Sequence, residues 1–284
     1  MKALLFELKP LFLSYKTPIS YQVKTSNLLP PPSALLGALF KNYVRITGGD
    51  YSPESLRNFL SNVKYTGVIV LPTDGSSFVT AKRFSVLLKH IRLERVEEEK
   101  RKEGELRTDA MLREFVHIHG KVVGTLLLNS SSVGVDMLVD ALEAIEFVGN
   151  SESLTTVKVI EELDPQSGIQ GDGFLMQVVS DDISKLPPVG IVEQCGKISS
   201  EPWGGRKSSE VCYVWSPLVS VGGHKYLPVK YSDVKGLTYS KVYSLYSKTL
   251  GATLVVVADG FDCLMPASEE ASIAAPRSRS RKKR

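Results

Sequence analysis

Three consecutive prolines, Pro30 to Pro32, impose the strongest local constraint on this chain. Proline fixes φ and restricts the preceding residue to extended conformations, so the run predicts an extended segment that ends abruptly. Directly afterwards, apolar residues recur from Leu35 to Val44 at the spacing of one helix face. We predict a helix capped by Ser33, whose hydroxyl accepts a backbone N–H of the first turn. Gly37 lies inside this helix, where glycine is unfavourable. We therefore expect another backbone to approach the helix closely at this position.

Strands and helices alternate on either side of this helix. The predicted elements are a strand at 3–8, the helix from Ser33, a short helix that begins at Ser52-Pro53 with proline at its first position, strands at 68–71 and 122–128, a helix at 136–148 and a strand at 156–160. This order is that of a ferredoxin-like, RRM-like domain, which makes the predicted fold class α+β. The third strand, VVGTLLL, has no aromatic residue to stack on bases. RNA binding through the sheet itself is therefore not expected.

A long insertion separates the second and third predicted strands, at about 73–121, where a tight turn would suffice. From Lys82 to Arg95 it mixes apolar with basic side chains and contains one acidic residue, Glu94. Such a composition is typical of an arm that carries basic and apolar groups to a partner. A solvated charged hairpin has the same composition and stays an alternative. The basic residues concerned are Lys82, Arg83, Lys89, Arg92 and Arg95.

The pattern changes after residue 163 to short β-type runs punctuated by glycine and proline. We predict a first domain at 1–163 and a smaller β-rich C-terminal domain at 164–265. Two loops of the second domain, Trp203–Lys207 and Val221–Lys225, place paired glycines before basic residues. Such loops can bring backbone N–H groups to a phosphate, although ordinary turns share the composition. Residues 266–284 form a basic tail that we expect to be disordered.

The net charge of +4 is a property of that tail. Six of the 35 basic residues follow Pro276, so the chain before Pro276 has 29 basic against 31 acidic residues and is slightly negative. An RNA surface must therefore arise from how charge is distributed. Three widely spaced cysteines predict neither a disulfide framework nor a cysteine zinc site. No apolar run approaches the roughly 20 residues that span a bilayer, so we predict a cytoplasmic protein without membrane contact.

Candidate chemistry is sparse. The chain has no phosphate-binding loop, nucleophile elbow or HExxH motif. His117 and His119 share one face of a strand but lack a third ligand, so we predict no metal and no cofactor. Tyr43 with Lys89 and His90 supplies the groups for metal-free RNA cleavage: a general acid or base, and a cation for the phosphorane. The alternative, which we favour, is that Tyr43 packs in the core and that Lys89 and His90 contact RNA or water.

Two segments resemble a known family. YQVKTSNLLPPPSALLGALF, residues 21–40, resembles the N-terminal hallmark of the CRISPR-associated Cas-five proteins of the RAMP superfamily. LRTDAMLREFVHIHGKVVGTLLL, residues 106–128, resembles the type I-A branch, in which a TDAM(x)RE(Y/F)V run leads from the arm back into the sheet. The resemblance covers roughly residues 1–265 and does not include the tail.

The resemblance implies a ferredoxin-like RAMP domain whose arm holds the 5′ handle of the guide RNA in a Cascade surveillance complex. Such a subunit is non-catalytic, caps the backbone subunits, contacts the large subunit and meets target DNA through the complex. Type I-C relatives cleave precursor RNA with a tyrosine, a lysine and a histidine, onto which Tyr43, Lys89 and His90 can be mapped. The type I-A branch leaves cleavage to a separate nuclease. A metal-independent endoribonuclease and a protein-only assembly subunit stay as alternatives.

Handle binding requires neutralised phosphates, a shaped surface and an aromatic for stacking. Free N–H groups at the helix start after Ser33 also favour phosphate. The predicted RNA-binding residues are Lys16, Tyr21, Lys24 and Ser33 on the first domain, and Lys82, Arg83, Lys89, His90, Arg92, Arg95, Arg107 and Arg113 on the arm and its return path.

Overall fold

The computed structural model describes residues 1–16, 23–73, 75–93, 106–129, 134–149, 153–199, 210–234 and 238–266. In chain order its elements are β1 (Lys2–Pro10), β2 (Tyr15–Lys16), β3 (Val23–Lys24), β4 (Ser26–Asn27), α1 (Pro32–Thr47), α2 (Pro53–Asn62), β5 (Val63–Leu71), β6 (Val79–Leu93), β7 (Leu106–His119), β8 (Lys121–Leu128), α3 (Val135–Glu143), β9 (Thr155–Leu163), β10 (Gln166–Ser167), β11 (Phe174–Leu175), β12 (Val178–Ser180), β13 (Ile191–Gly196), β14 (Val211–Ser216), β15 (Leu218–Gly222), β16 (Lys225–Pro228), β17 (Val242–Ser247) and β18 (Ala252–Val257). The predicted α+β class is confirmed, with strands in the majority. Among the described residues, no helix is both long and apolar enough to cross a membrane.

Four strands form an antiparallel sheet in the order β5-β8-β1-β9. Helix α1 packs against α3 and β5, and α3 also packs against β9. Neighbouring residues of β1, such as Leu4 and Leu5, are both fully buried although they point to opposite faces. Both faces of the sheet are therefore covered. At the β5 edge of this sheet, Gln177 from the C-terminal part accepts the backbone N–H of Val68 at 3.0 Å through Oε1 and the hydroxyl of Tyr65 at 2.7 Å through its carbonyl.

The insertion after β5 folds as a long hairpin. β6 pairs with β7 without interruption from Thr80 opposite His119 to Leu93 opposite Leu106. At about 3.3 Å per residue, the 15 residues of β6 reach roughly 50 Å. The hairpin base belongs to a second sheet, ordered β15-β16-β6-β7-β3. Strands from the N-terminal segment and from the C-terminal part thus flank the hairpin on its two edges.

The C-terminal part is β-rich, as the sequence predicts. Its strands form a sheet ordered β10-β17-β18-β11 and a second one ordered β12-β14-β13. Its buried residues Met176, Val214 and Leu254 belong to the same continuous core as Leu4 of the first sheet. The division into two domains at residue 163 stays a prediction, and all of the tail after residue 266 lies outside the described residues.

Three local predictions in and around the helices are wrong. Helix α1 begins at Pro32 and its N-cap is Pro31, without a side-chain cap, so Ser33 lies inside the first turn. Proline is favoured there because its missing N–H needs no partner at a helix start. Gly37 is exposed, and an added Cβ would meet nothing within 4 Å, so no described backbone approaches it. Helix α3 ends at Glu143 rather than Val148, although Val148 is buried.

The prediction against disulfide bonding is also wrong. Cys212 and Cys263 form a disulfide whose Cα atoms are 6.2 Å apart, and Cys195 is a buried free thiol. The short turn at 261–264 packs against β14, and the backbone N–H of Ile198 donates to Leu264 at 2.9 Å. This packing brings together cysteines that are 51 residues apart in sequence. Spacing along the chain contains no information about such a contact.

Candidate nucleic-acid interface

Pleating of the hairpin base places basic and aromatic side chains on one face. Residues that pair directly across two strands project from the same face of a sheet. Lys82 pairs with His117, and Phe84 pairs with Phe115, two residues further along. The rings of Phe84 and Phe115 are stacked, with centroids 5.7 Å apart and planes at 18°. We call these four residues, together with Phe12, the outer face.

Phe12, in the segment that follows β1, packs on this surface. Its ring centroid lies 5.7 Å from that of Phe84, 6.5 Å from that of Phe115 and 6.3 Å from that of His117. The aromatic side chains nevertheless stay accessible, because Phe12 is 41% exposed and Phe84 is 38% exposed. Phenylalanine is normally buried, so the grouping of exposed rings makes this surface the candidate interface.

The outer face continues onto the neighbouring strand with further basic groups. Lys225 of β16 pairs with Thr80, which pairs in turn with His119. The ammonium group of Lys225 lies 5.5 Å from the ring centroid of Phe78. Glu114 is the one carboxylate on β6, β7 or β16 whose side chain is described. By strand alternation it lies on the face opposite the outer face. Its carboxylate accepts the Ser26 backbone N–H at 2.9 Å.

The opposite face of the hairpin base packs on the protein. Val79, Ala81 and Val116 are almost completely buried there. Arg83 belongs to this side, and its Nη2 donates to Oε1 of Glu193 at 3.1 Å. The same carboxylate accepts the backbone N–H of Leu28 at 2.8 Å and 3.1 Å through its two oxygens. Arg83 therefore connects the hairpin to the body, and the predicted basic run is divided between two faces.

Burial has the largest effect on the pKa of Glu193. It raises the pKa of this carboxyl from 4.5 to about 7, although the Leu28 N–H and the charge of Arg83 both favour the ionised form. The nearby charge of Glu114 adds to the rise. Near neutral pH the carboxyl therefore exchanges between its two protonation states.

The structure places the other predicted RNA-binding residues as follows. Arg113 is half-buried on β7, pairs with Val86 and is flanked by Lys24 of β3 in a parallel register. Ser33 is half-buried in the first turn of α1. Backbone positions alone are described for Lys16 on β2, Lys24 on β3, Lys89, His90 and Arg92 on β6, and Arg107 on β7, while Tyr21 and Arg95 lie outside the described residues.

The candidate catalytic set is not assembled by any described contact. Tyr43 lies on α1, and its ring centroid is 5.4 Å from that of Phe59 on α2. Lys89 and His90 lie on β6, opposite Ala110 and Asp109. Their side chains are outside the described part of the chain, so the geometry of the set is untested. Among the described residues, no group of three or more metal-ligating side chains occurs.

Sequence reasoning did not assign RNA binding to Phe12, Phe115, His117 or Lys225. A signal existed for two of them, because His117 was assigned to a strand face and Lys225 to a glycine loop. That loop does lie at the hairpin, where the carbonyl of His224 accepts the Ala81 backbone N–H at 2.9 Å. The other glycine loop, Trp203–Lys207, lies outside the described residues.

Comparison with known proteins gives structural similarity alone. No protein-family model matches the chain, and no curated protein matches it. The chain is similar to a CRISPR protein from Archaeoglobus fulgidus, with 15% identity, 90% of this chain and 98% of that chain covered, and a TM-score of 0.41. It is similar to a chain of the Type III-B Cmr-beta complex bound to cognate target RNA and AMPPnP, with 11% identity, coverage of 91% and 99%, and a TM-score of 0.46. A chain of a CRISPR RNA-guided surveillance complex gives 13% identity, coverage of 83% and 94%, and a TM-score of 0.38.

Proposed function

We propose that this chain is a non-catalytic guide-RNA-binding subunit of a type I CRISPR effector complex. In this proposal the hairpin is the arm that grips the 5′ handle of the guide RNA. The subunit caps the backbone filament, contacts the large subunit and meets target DNA through the complex. The observation that carries the proposal is the outer face, where exposed aromatic rings and basic groups lie side by side.

Single-stranded RNA is bound by the combination that the outer face offers. Lysine and arginine neutralise phosphates and release counterions, and aromatic rings stack on bases of any sequence. Lys82 is exposed, and Phe84 and Phe12 supply accessible rings beside it. The chain before Pro276 has a slightly negative net charge. Non-specific electrostatic attraction between this part of the chain and RNA therefore does not supply the affinity.

The strand register extends this surface along the arm. Positions 90 and 92 of β6 are an even number of residues from Lys82 and so alternate onto the same face of the strand. Position 92 pairs with position 107 of β7. The sequence has His90, Arg92 and Arg107 there. We assign these three residues to the RNA path and remove Arg83 from it, because Arg83 is paired with Glu193.

The topology supports the ferredoxin-like RAMP assignment. The sheet order β5-β8-β1-β9 arises when the third strand pairs with the second and the first, and the fourth strand pairs with the first. Helices connect β1 to β5 and β8 to β9, as in a β-α-β-β-α-β unit. The arm then replaces the turn between the second and third strands of this unit.

The proposal is tested by handle binding. The purified chain, or its complex with backbone subunits, is titrated with repeat-derived 5′ handle RNA and with a scrambled RNA of equal length at physiological salt. We expect the handle to bind more tightly. Equal, weak binding of both RNAs, together with intact assembly of the complex, would instead support a protein-only assembly subunit.

We predict no intrinsic ribonuclease activity. Tyr43 packs on Phe59, and no described contact links it to the arm. Repeat RNA incubated with the protein in EDTA should therefore stay intact while it is bound. Repeat-specific cleavage that disappears in a His90→Ala variant would make the chain a metal-independent endoribonuclease.

We predict that deletion of residues 276–284 preserves the preference for the handle. The segment contains six of the basic residues, so its removal should lower affinity for unrelated RNA and reduce the salt dependence of that binding. Comparing the full chain and the truncated chain on handle and scrambled RNA measures both effects. A loss of the preference itself would place handle recognition in the tail.

A further inference from the structure

An exposed phenylalanine lies one residue before β6, at the start of the hairpin. Phe78 is 38% exposed. The hydroxyl of Ser76 accepts the Phe78 backbone N–H and donates to the Phe78 carbonyl, both at 3.0 Å. These two hydrogen bonds fix the backbone of Phe78, so its ring is held in place while it stays accessible. An accessible ring that is already positioned can stack on a base at a low cost in conformational entropy.

The ring of Phe78 lies on the same side of the sheet as the outer face. Lys225 pairs with Thr80, which is two residues before Lys82 and therefore shares its face. The ammonium group of Lys225 lies 5.5 Å from the centroid of the Phe78 ring. Val79, between Phe78 and Thr80, is completely buried and points to the opposite side. Phe78 and Lys225 together form what we call the Phe78 platform.

A second group of rings lies further along the hairpin. Phe12, Phe84 and Phe115 contact one another there, and we call them the Phe84 platform. Phe78 and Phe84 are six positions apart, or about 20 Å in an extended chain at about 3.3 Å per residue. Adjacent stacked bases are only about 3.4 Å apart. The two platforms can therefore hold two bases of one strand only if other nucleotides lie between them.

The surface between the two platforms offers hydrogen-bond donors and positive charge. The groups concerned are Thr80 and Lys82 on β6, His119 and His117 opposite them on β7, and Lys225 on β16. Lysine neutralises phosphates, and hydroxyl groups donate hydrogen bonds to phosphate oxygens. The described carboxylate of these three strands, Glu114, lies on the opposite face. This surface therefore attracts the phosphates of nucleotides that connect the two platforms.

We propose that one strand of single-stranded RNA lies along β6 with one base stacked at the Phe78 platform and another at the Phe84 platform. Lys82 and Lys225 bind phosphates of the nucleotides between these bases. This inference rests on the proposed function and deepens it, because it extends the RNA contact from the arm onto β16 of the C-terminal part. Single-stranded DNA has the same bases and phosphates, and the experiment distinguishes it from RNA.

The test uses RNAs of constant length that are abasic except for two adenosines, with an increasing number of abasic nucleotides between the two. Binding to the full chain is measured by fluorescence anisotropy at low salt. We expect one intermediate spacing to bind roughly tenfold or more tightly than adjacent adenosines, because only there do both bases stack. A fully stacked strand spans the platforms with about five intervening nucleotides and an extended strand with fewer. Equal affinity at every spacing overturns the proposal.

Variants of Phe78 show whether its ring is the stacking group. Phe78→Ala should lower the affinity of the best-spaced RNA to that of an RNA with one adenosine. Phe78→Tyr should keep the optimum because tyrosine also stacks, whereas Phe78→Leu, which is apolar without a ring, should lose it. The matched control is Tyr246→Ala, which removes a 62% exposed ring from β17 and should keep the optimum. Full affinity in Phe78→Leu overturns base stacking at this position.

Handle RNA separates this inference from the proposed function. If the handle binds but neither Phe78→Ala nor the spacing of the adenosines changes affinity, the two-platform inference fails and the handle function stands. If the handle does not bind but the optimum is present, the handle function fails and the platforms stand. Loss of complex assembly in Phe78→Ala, with unchanged RNA binding, would assign the Phe78 platform to a protein and overturn the inference.

The choice between RNA and DNA is made on the complex that already holds its guide RNA. The best-spaced oligonucleotide is prepared as single-stranded DNA and titrated into this complex and into the full chain alone. We expect the DNA to bind the free chain and to be excluded from the complex, because the guide RNA occupies both platforms. Binding to the loaded complex that Phe78→Ala removes would assign the platforms to DNA and overturn the RNA assignment.

Discussion

The double variant Lys82→Ala, Phe84→Ala is expected to bind handle RNA at least tenfold more weakly than the unmodified chain. Loss of one base–aromatic stack is expected to cost about 1–3 kcal/mol. Loss of one phosphate contact should also flatten the dependence of log affinity on log salt by about 0.7. The fold should be unchanged, because Lys82 is exposed and the ring of Phe84 is 38% exposed. Binding isotherms across a salt series measure both effects.

The matched control uses Lys64→Ala with Leu87→Ala. Lys64 is exposed on β5, and Leu87 is 58% exposed on β6, out of phase with the outer face. This control removes the same charge and a comparable apolar side chain from other surfaces. If the outer-face variant keeps the original affinity and salt dependence while folded, the arm contacts protein rather than RNA. RNA binding would then have to be sought elsewhere on the chain.

Local sequence patterns predicted where helices form but did not always predict the residue at which each helix begins or ends. Pro53 occupies the first position of α2 as predicted, and Ser52 before it accepts the Ser55 backbone N–H at 3.1 Å. These signals are reliable because the residues concerned are neighbours in sequence. Val148 shows the opposite case: it follows the helical spacing of α3 but is buried after the helix has ended. The spacing of apolar residues indicates which residues are buried, but it does not show whether a given residue is still helical.

The composition of the insertion predicted an exposed basic arm, but the contacts between distant segments were missed. Lys82 was assigned to that arm, and it is exposed on β6. Phe12 lies about a hundred residues from Phe115, and the two are brought together when the segment after β1 pairs with β7 at Leu13 and Val116. The ion pair of Arg83 was not predicted, because its partner, Glu193, lies 110 residues away. Composition cannot reveal a pair that forms across such a distance.

Glu193 should make the stability of the protein decrease as pH rises from about 4.5 to about 7. Its pKa is 4.5 in the absence of the fold and about 7 in the folded protein, because burial disfavours the charge. Between these values the folded state retains a proton that the unfolded chain releases, so raising the pH favours unfolding. The shift of about 2.5 pKa units corresponds to a loss of about 3 kcal/mol, complete above pH 7.

Urea unfolding of the unmodified chain and of Glu193→Gln, at pH 4.5 and at pH 7.5, isolates this contribution. Other groups titrate in both proteins, so the difference between their unfolding free energies should change by about 3 kcal/mol between the two pH values. The variant should become relatively more stable at the higher pH, since glutamine has no charge to bury. Glu54→Gln, at an exposed position of α2, should show no such change. A parallel pH dependence in Glu193→Gln and the unmodified chain would mean that Glu193 ionises in the folded state at an ordinary pKa. The Arg83–Glu193 contact would then be a simple ion pair that holds the hairpin at every physiological pH.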